Sequence, residues 1–182
     1  ILSDAAQKTI DWPRFTALLD CPAPAAAPRT VPPANVRIAV ARDAAFCFTY
    51  AETLEALQEK GAELCFFSPL QDTALPPNIG GLYLPGGYPE LYAAQLAANT
   101  AMRSAVKTAV ESGLPTVAEC GGFLYLGQTL EDADGKTYPM AGVLPGQGVK
   151  IGHLVRFGYA ALTSNADSML FAAGETLPIH EF

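Results

Sequence analysis

The sequence predicts an α/β protein with a doubly wound, mostly parallel sheet, and three observations point there. Short β-rich runs alternate with segments whose apolar residues recur at helical spacing. Two of those runs are followed by glycine turns, at the carboxyl ends where a parallel sheet gathers its ligands. The 182 residues suffice for one full core but not for two ordinary domains and a linker.

Taken in order, Asp11-Trp12-Pro13-Arg14-Phe15 opens a short helix that Asp11 caps and Pro13 favours in its first turn. Residues 22–33 hold five prolines in twelve positions and predict an extended linker, which makes residues 1–21 the expected tail of a preceding domain. The first residue is Ile rather than Met, so the chain is expected to begin inside a longer protein. Residues 34–182 then form the main domain.

Val36 to Ala41 reads as a buried strand, and Thr49-Tyr50-Ala51-Glu52 has capping-box spacing ahead of a helix through Leu54 and Leu57 that closes at Gly61. Leu64 to Phe67 and Gly81 to Leu84 predict two more strands, the latter running into Pro85-Gly86-Gly87. Met102, Ala105, Val106, Ala109 and Val110 mark a helix ending at Gly113, and Pro115 to Ala118 gives another strand. Beyond Tyr138 short β-like pieces are expected around residues 141–144 and 155–162.

Composition excludes several classes. The formal charge of −7 and the lack of any basic cluster argue against a nucleic-acid partner. No apolar run reaches the length of a membrane span, and the start lacks a basic segment followed by an apolar one. Cys21, Cys47, Cys65 and Cys120 are too few and scattered for a disulfide scaffold and lack zinc-site spacing, so no metal and a reducing cytoplasm are expected.

Candidate chemistry centres on Ala118-Glu119-Cys120-Gly121-Gly122, where a cysteine sits at a strand-to-helix turn. The spacing resembles a nucleophile elbow: glycines behind the thiol permit a tight turn, the helix start favours thiolate, and the Gly121 amide faces a developing oxyanion. An inert buried thiol is the competing reading. The turn Pro85-Gly86-Gly87-Tyr88-Pro89-Glu90 offers a second oxyanion amide from Gly87. Cys47 and Cys65 are expected in apolar surroundings as structural residues, and Cys21 borders the linker.

Several segments together resemble the cobyrinic or hydrogenobyrinic acid a,c-diamide synthases of vitamin B12 biosynthesis. They are residues 36–48, Phe67-Ser68-Pro69-Leu70 with Asp72, residues 85–92, Leu96-Ala97-Ala98-Asn99, residues 118–122, Gly158-Tyr159 and His180-Glu181-Phe182. The resemblance implies the flavodoxin-like fold of a class I glutamine amidotransferase, fused in the parent to an N-terminal domain that binds ATP and Mg. This chain has no G-x-x-x-x-G-K-[ST] loop, so no cofactor is expected in it. By the same resemblance Cys120 attacks the side-chain amide of glutamine, Gly87 and Gly121 hold the oxyanion, and the ammonia amidates a corrin carboxylate.

The family signature resembles His-Glu-Phe-His-Tyr, with its second histidine as base, so the base is expected just after Phe182 and the chain alone to be a weak or inactive glutaminase. His180, aligned with the first histidine, is the alternative base, and His153 an ordinary loop residue. Arg156 could grip the α-carboxylate of glutamine, Tyr88 could shape the pocket mouth, and Glu90 is expected to cap a helix rather than bind the α-amino group. Glu119 should point to the other side of its strand. Other readings are an amidotransferase serving cobyric acid or a cell-wall precursor, a non-catalytic binding domain on this fold, and a cysteine hydrolase or chaperone on it.

Overall fold

A computed structural model of the chain describes residues 2–20, 22, 31–153 and 155–181. Cys21 and most of the proline-rich stretch lie outside the described residues, as does Phe182. The chain divides into two compact units, Ile1–Thr30 and Val31–Phe182.

The first unit holds helices α1 (Leu2–Thr9) and α2 (Trp12–Leu19). Asp11 caps α2 as expected, its Oδ1 accepting from the Arg14 amide at 3.2 Å. The sequence pattern gave no sign of α1.

In the second unit β1 (Val36–Ala41), α3 (Ala51–Glu59), β2 (Ala62–Phe67) and β3 (Gly81–Leu84) are followed by a 3-10 turn at Pro89–Tyr92. Next come α4 (Ala93–Ala98), α5 (Thr100–Glu111), β4 (Thr116–Ala118) and α6 (Gly121–Leu126). The four strands form one parallel sheet in the order β2-β1-β3-β4, with Ile38 opposite both Leu64 and Gly81 and Leu84 opposite Ala118. This order matches the first four strands of the flavodoxin-like arrangement. The strand order reverses between β1 and β3, so the crevice at their carboxyl ends is where such sheets place their ligands.

Alternation along the strands divides their side chains between two faces. Ala39, Ala41, Leu82 and Leu84 join the core with Leu96 of α4, Met102 and Val106 of α5, and Tyr125 and Leu126 of α6. On the opposite face Val36, Ile38, Tyr83 and Val117 meet Thr53 and Leu57 of α3 around an apolar groove of about 370 Å³. Gly61 and Gly113, at φ +90° and +89°, end α3 and α5 where the sequence placed stops. The expected capping box at Thr49 does not form: Tyr50 is the N-cap of α3 and makes no side-chain cap bond. The chain enters α3 from a loop fixed elsewhere, which leaves the Thr49 hydroxyl out of register with the first turn.

The remainder is two small sheets, β6-β5-β7 (Thr137–Pro139, Thr129–Glu131, Gln147–Gly148) and the hairpin β8-β9 (Gly158–Thr163, Thr176–Glu181). Residues 141–144 are not a strand. Their amides bond to the last carbonyls of α6, Ala141 to Tyr125 and both Val143 and Leu144 to Leu126, each at 2.9 Å. Those carbonyls have no intrahelical partner, so an apolar run with the look of a strand serves as a helix cap.

Candidate active site

The site is built from backbone that leaves the carboxyl ends of β1, β3 and β4. Cys120 follows β4 with φ +46° and ψ −111°, a conformation L residues rarely adopt, and is the N-cap of α6. Its side chain is exposed, so the thiol is not buried as the competing reading expected.

Close packing explains the glycines. A Cβ on Gly122 would run into the Leu84 carbonyl, with Leu84 Cβ only 2.8 Å away, so α6 lies directly on the end of β3. A Cβ on Gly121 would lie 2.8 Å from Pro89 Cδ and 3.1 Å from the Gly87 amide nitrogen. One on Gly86 would touch Cys120 Cβ at 3.4 Å and the Phe48 ring at 3.3 Å. The two glycine turns therefore converge on one point. Neither the Gly87 nor the Gly121 amide finds a backbone acceptor among the described residues, whereas the amides that follow them, of Tyr88 and Gly122, donate to Ala45 O and Glu119 O. Two unengaged N–H groups beside an exposed thiol can stabilise negative charge on an oxygen attached to a carbon under attack.

The loop after β1 forms the other wall. The Phe48 amide donates to Gly86 O and the Tyr88 amide to Ala45 O, both at 3.0 Å. Tyr88, 48% exposed, meets Phe48 edge to face with ring centroids 5.0 Å apart, placing an aromatic lip beside Cys120. Phe48 stood only inside a longer matching segment of the sequence, and no local signal singled it out.

One helical turn beyond Cys120, Leu124 borders a cavity of about 580 Å³ lined also by Glu90, Glu131, Asp132, Gly148 and Lys150. The Lys136 and Asp134 amides hold the Asp132 carboxyl below the ordinary carboxylate range, and Glu131 accepts from the Lys150 amide at 2.8 Å. Glu90 stands in the first turn of the 3-10 helix, whose N-cap position is taken by Tyr88. The chain turns into these short helices from Tyr88 and Tyr92, which leaves Glu90 on the cavity wall.

Other expected residues lie elsewhere. His180 is on β9 opposite Tyr159 and stacks edge-on against Phe157 and Tyr159, with centroids at 5.6 and 5.2 Å. Its hairpin pairs with neither other sheet. Arg156, largely exposed, lies 3.9 Å from the Glu181 carboxylate. His153 sits in an exposed irregular stretch. Glu119 turns away from the thiol, accepting from Tyr83 Oη at 3.4 Å, and burial with this carboxylate pushes the Tyr83 phenol up to about 12. Cys47 is exposed and Cys65 half-buried, contrary to the apolar setting expected. The loop turns Ala45 and Phe46 inward instead of Cys47, and Cys65 shares the face of Phe67 but lies on the edge strand of the sheet.

Comparison with known proteins matches residues 37–166 to the CobB/CobQ-like glutamine amidotransferase domain. A cobyrinate a,c-diamide synthase of Dehalococcoides mccartyi is 47% identical over 161 residues, covering 88% of this chain and 35% of the relative. One from Synechocystis is 43% identical over 187 residues, covering 100% of this chain and 38% of the relative. A hydrogenobyrinate a,c-diamide synthase of Pseudomonas aeruginosa is 53% identical over 128 residues, covering 70% of this chain and 29% of the relative. The chain thus spans about a third of these relatives' length.

Proposed function

Because the chain belongs to the CobB/CobQ-like glutamine amidotransferase domain family, we propose that Cys120 is the nucleophile that hydrolyses glutamine for a corrin a,c-diamide synthase. The observation that carries this is the meeting of the Gly86-Gly87 turn with the Cys120 elbow, two free amides beside one exposed thiol.

In this reading the Cys120 thiolate adds to the side-chain carbonyl carbon of glutamine, and the Gly87 and Gly121 amides hold the resulting oxyanion. The C–N bond breaks as the leaving nitrogen takes a proton, releasing ammonia and a thioester. Water then adds to the thioester, the C–S bond breaks, and glutamate leaves with the thiol restored. The adjoining cavity takes the amino-acid end of glutamine, with Glu90 and Glu131 facing its ammonium group. Tyr88 and Phe48 close the mouth. We assign the proton transfers to the signature that His180 opens rather than to His180 itself, an exposed strand residue whose ring meets Phe157 and Tyr159 edge-on. Arg156, engaged with Glu181, is a less direct candidate for the α-carboxylate.

We further propose that ATP and Mg act in another part of the full-length protein, where a carboxylate of cobyrinic or hydrogenobyrinic acid is activated before ammonia converts it to an amide. A cytoplasmic setting suits a free nucleophilic thiol.

The test uses the full-length protein. Glutamate release should depend on Cys120, vanish in Cys120→Ser, and be blocked by a diazo-ketone mimic of glutamine that labels Cys120. Hydrolysis that survives Cys120→Ser would overturn the assignment, and assays on each corrin acid would identify the acceptor.

A further inference from the structure

The loop between β1 and α3 is held by a single carboxylate. Asp43 Oδ1 accepts from the Ala45 and Phe46 amides at 2.8 and 3.1 Å, and Oδ2 accepts from the Ser68 hydroxyl and the Leu70 amide at 2.8 and 3.0 Å. The second pair of donors belongs to the turn after β2. That turn is fixed independently of the site: Asn99 Nδ2 donates to both Pro69 O and Asp72 O at 2.8 Å, and Asp72 Oδ2 takes the Ser68 amide at 2.7 Å. Asp43 therefore ties a loop at the site to a rigid anchor outside it.

That loop orients the Gly87 amide from both sides. Gly86 O accepts from the Phe48 amide, and because a peptide is planar and trans, the Gly87 N–H points the opposite way, toward the elbow. The next peptide is fixed by the Tyr88 amide bonding to Ala45 O. The Ala45 carbonyl also occupies the space a Gly87 side chain would need. Phe46, fully buried, packs edge to face on Tyr125 of α6 with centroids 5.4 Å apart, so the same loop touches the nucleophile's helix.

We propose that Asp43 is a positioning residue for glutamine hydrolysis, its carboxylate holding the loop that sets the plane of the Gly87 amide against Cys120. This rests on the assignment of Cys120 and Gly87 made above. An aspartate suits the place because only an ionised carboxylate accepts on both oxygens, whereas an amide must turn an NH₂ toward two donors.

The test compares Asp43→Asn and Ser68→Ala with the unmodified full-length protein, Ser68→Ala removing only one of the four bonds. Losing an oxyanion donor outright lowers kcat by about 10²–10³. With half its bonds intact, Asp43→Asn should lower kcat by about 10–100-fold and Ser68→Ala by a few-fold, both leaving KM for glutamine within about threefold. Binding of glutamate γ-semialdehyde, whose adduct with the thiol carries the oxyanion, should weaken by the same factor as kcat/KM. Alkylation of Cys120 by iodoacetamide, which forms no oxyanion, should stay within about twofold. A kcat unchanged in Asp43→Asn, a rise in KM alone, or alkylation and hydrolysis falling together would overturn the positioning role. Should the unmodified protein hydrolyse glutamine without need of Cys120, the active-site assignment itself fails, and Asp43 with it.

Discussion

The backbone at Cys120 makes a prediction that separates stability from activity. At φ +46° and ψ −111° the residue sits where an L side chain is strained and glycine is not. Strain of this kind costs about 1–3 kcal/mol, and glycine at the same place returns about 0.5–1 kcal/mol through its freer unfolded chain. The thiol is exposed, so its removal forfeits little packing. Cys120→Ala keeps the Cβ and the strain, whereas Cys120→Gly relieves it. The glycine variant should therefore be more stable than the alanine variant by about 1–2 kcal/mol, a rise of roughly 3–6 °C for a domain of this size. Calorimetry of the full-length variants, reading the transition of this domain, gives the difference. Both variants should be inactive as glutaminases. Equal stability, or alanine above glycine, would refute the claim that the elbow is strained.

Three further outcomes follow from the packing. Gly122→Ala places a methyl group against the Leu84 carbonyl and must push α6 from β3, so it should destabilise by about 1–3 kcal/mol. It should also lower kcat by about 10²-fold as Cys120 shifts, read by steady-state glutamine hydrolysis. Tyr125 is fully buried and its hydroxyl has no hydrogen-bond partner among the described residues, while burial pushes the phenol upward. Tyr125→Phe should then be neutral or stabilising by up to about 1 kcal/mol in urea unfolding, and a loss of more than that would reveal a water bridging the hydroxyl to Arg103. Tyr83 carries a folded-state pKa of about 12 against 10.0 when free, so the stability it confers is complete below pH 10 and lost as pH rises toward 12. Unfolding free energy should fall more steeply in that window than in Tyr83→Phe, by less than the limiting slope of about 1.4 kcal/mol per pH unit because the exposed Glu119 partner is screened by solvent.

The sheet and both glycine turns were legible because their signals are local. A β-rich run ending in Gly-Gly can be read within ten residues, and β3 with Gly86-Gly87 and β4 with Cys120 fell where the sequence put them. The failures share one cause, long-range bonding that overrides a local pattern. Residues 141–144 look like a strand until the carbonyls of α6 claim their amides. Thr49 looks like a cap until the chain before α3 is fixed from Ser68 and Leu70, more than twenty residues away. Glu90 stands in a first helical turn and also lines a cavity assembled from β5 and β7, elements with no periodic signal.

Under the proposed assignment the segments that carried the family resemblance serve the site through backbone amides. A backbone amide cannot be aimed by its own side chain; its direction is set by whatever holds the peptides on either side. Gly87 is held by Phe48 and Ala45, Ala45 and its neighbour Phe46 by Asp43, and Asp43 by a turn locked through Ser68, Asp72 and Asn99. Each of these residues stood in a matching segment whose purpose the sequence left open. The proposed chemistry needs one thiol and two N–H groups, and holding those N–H groups still would recruit residues from three separate loops at the carboxyl edge of the sheet.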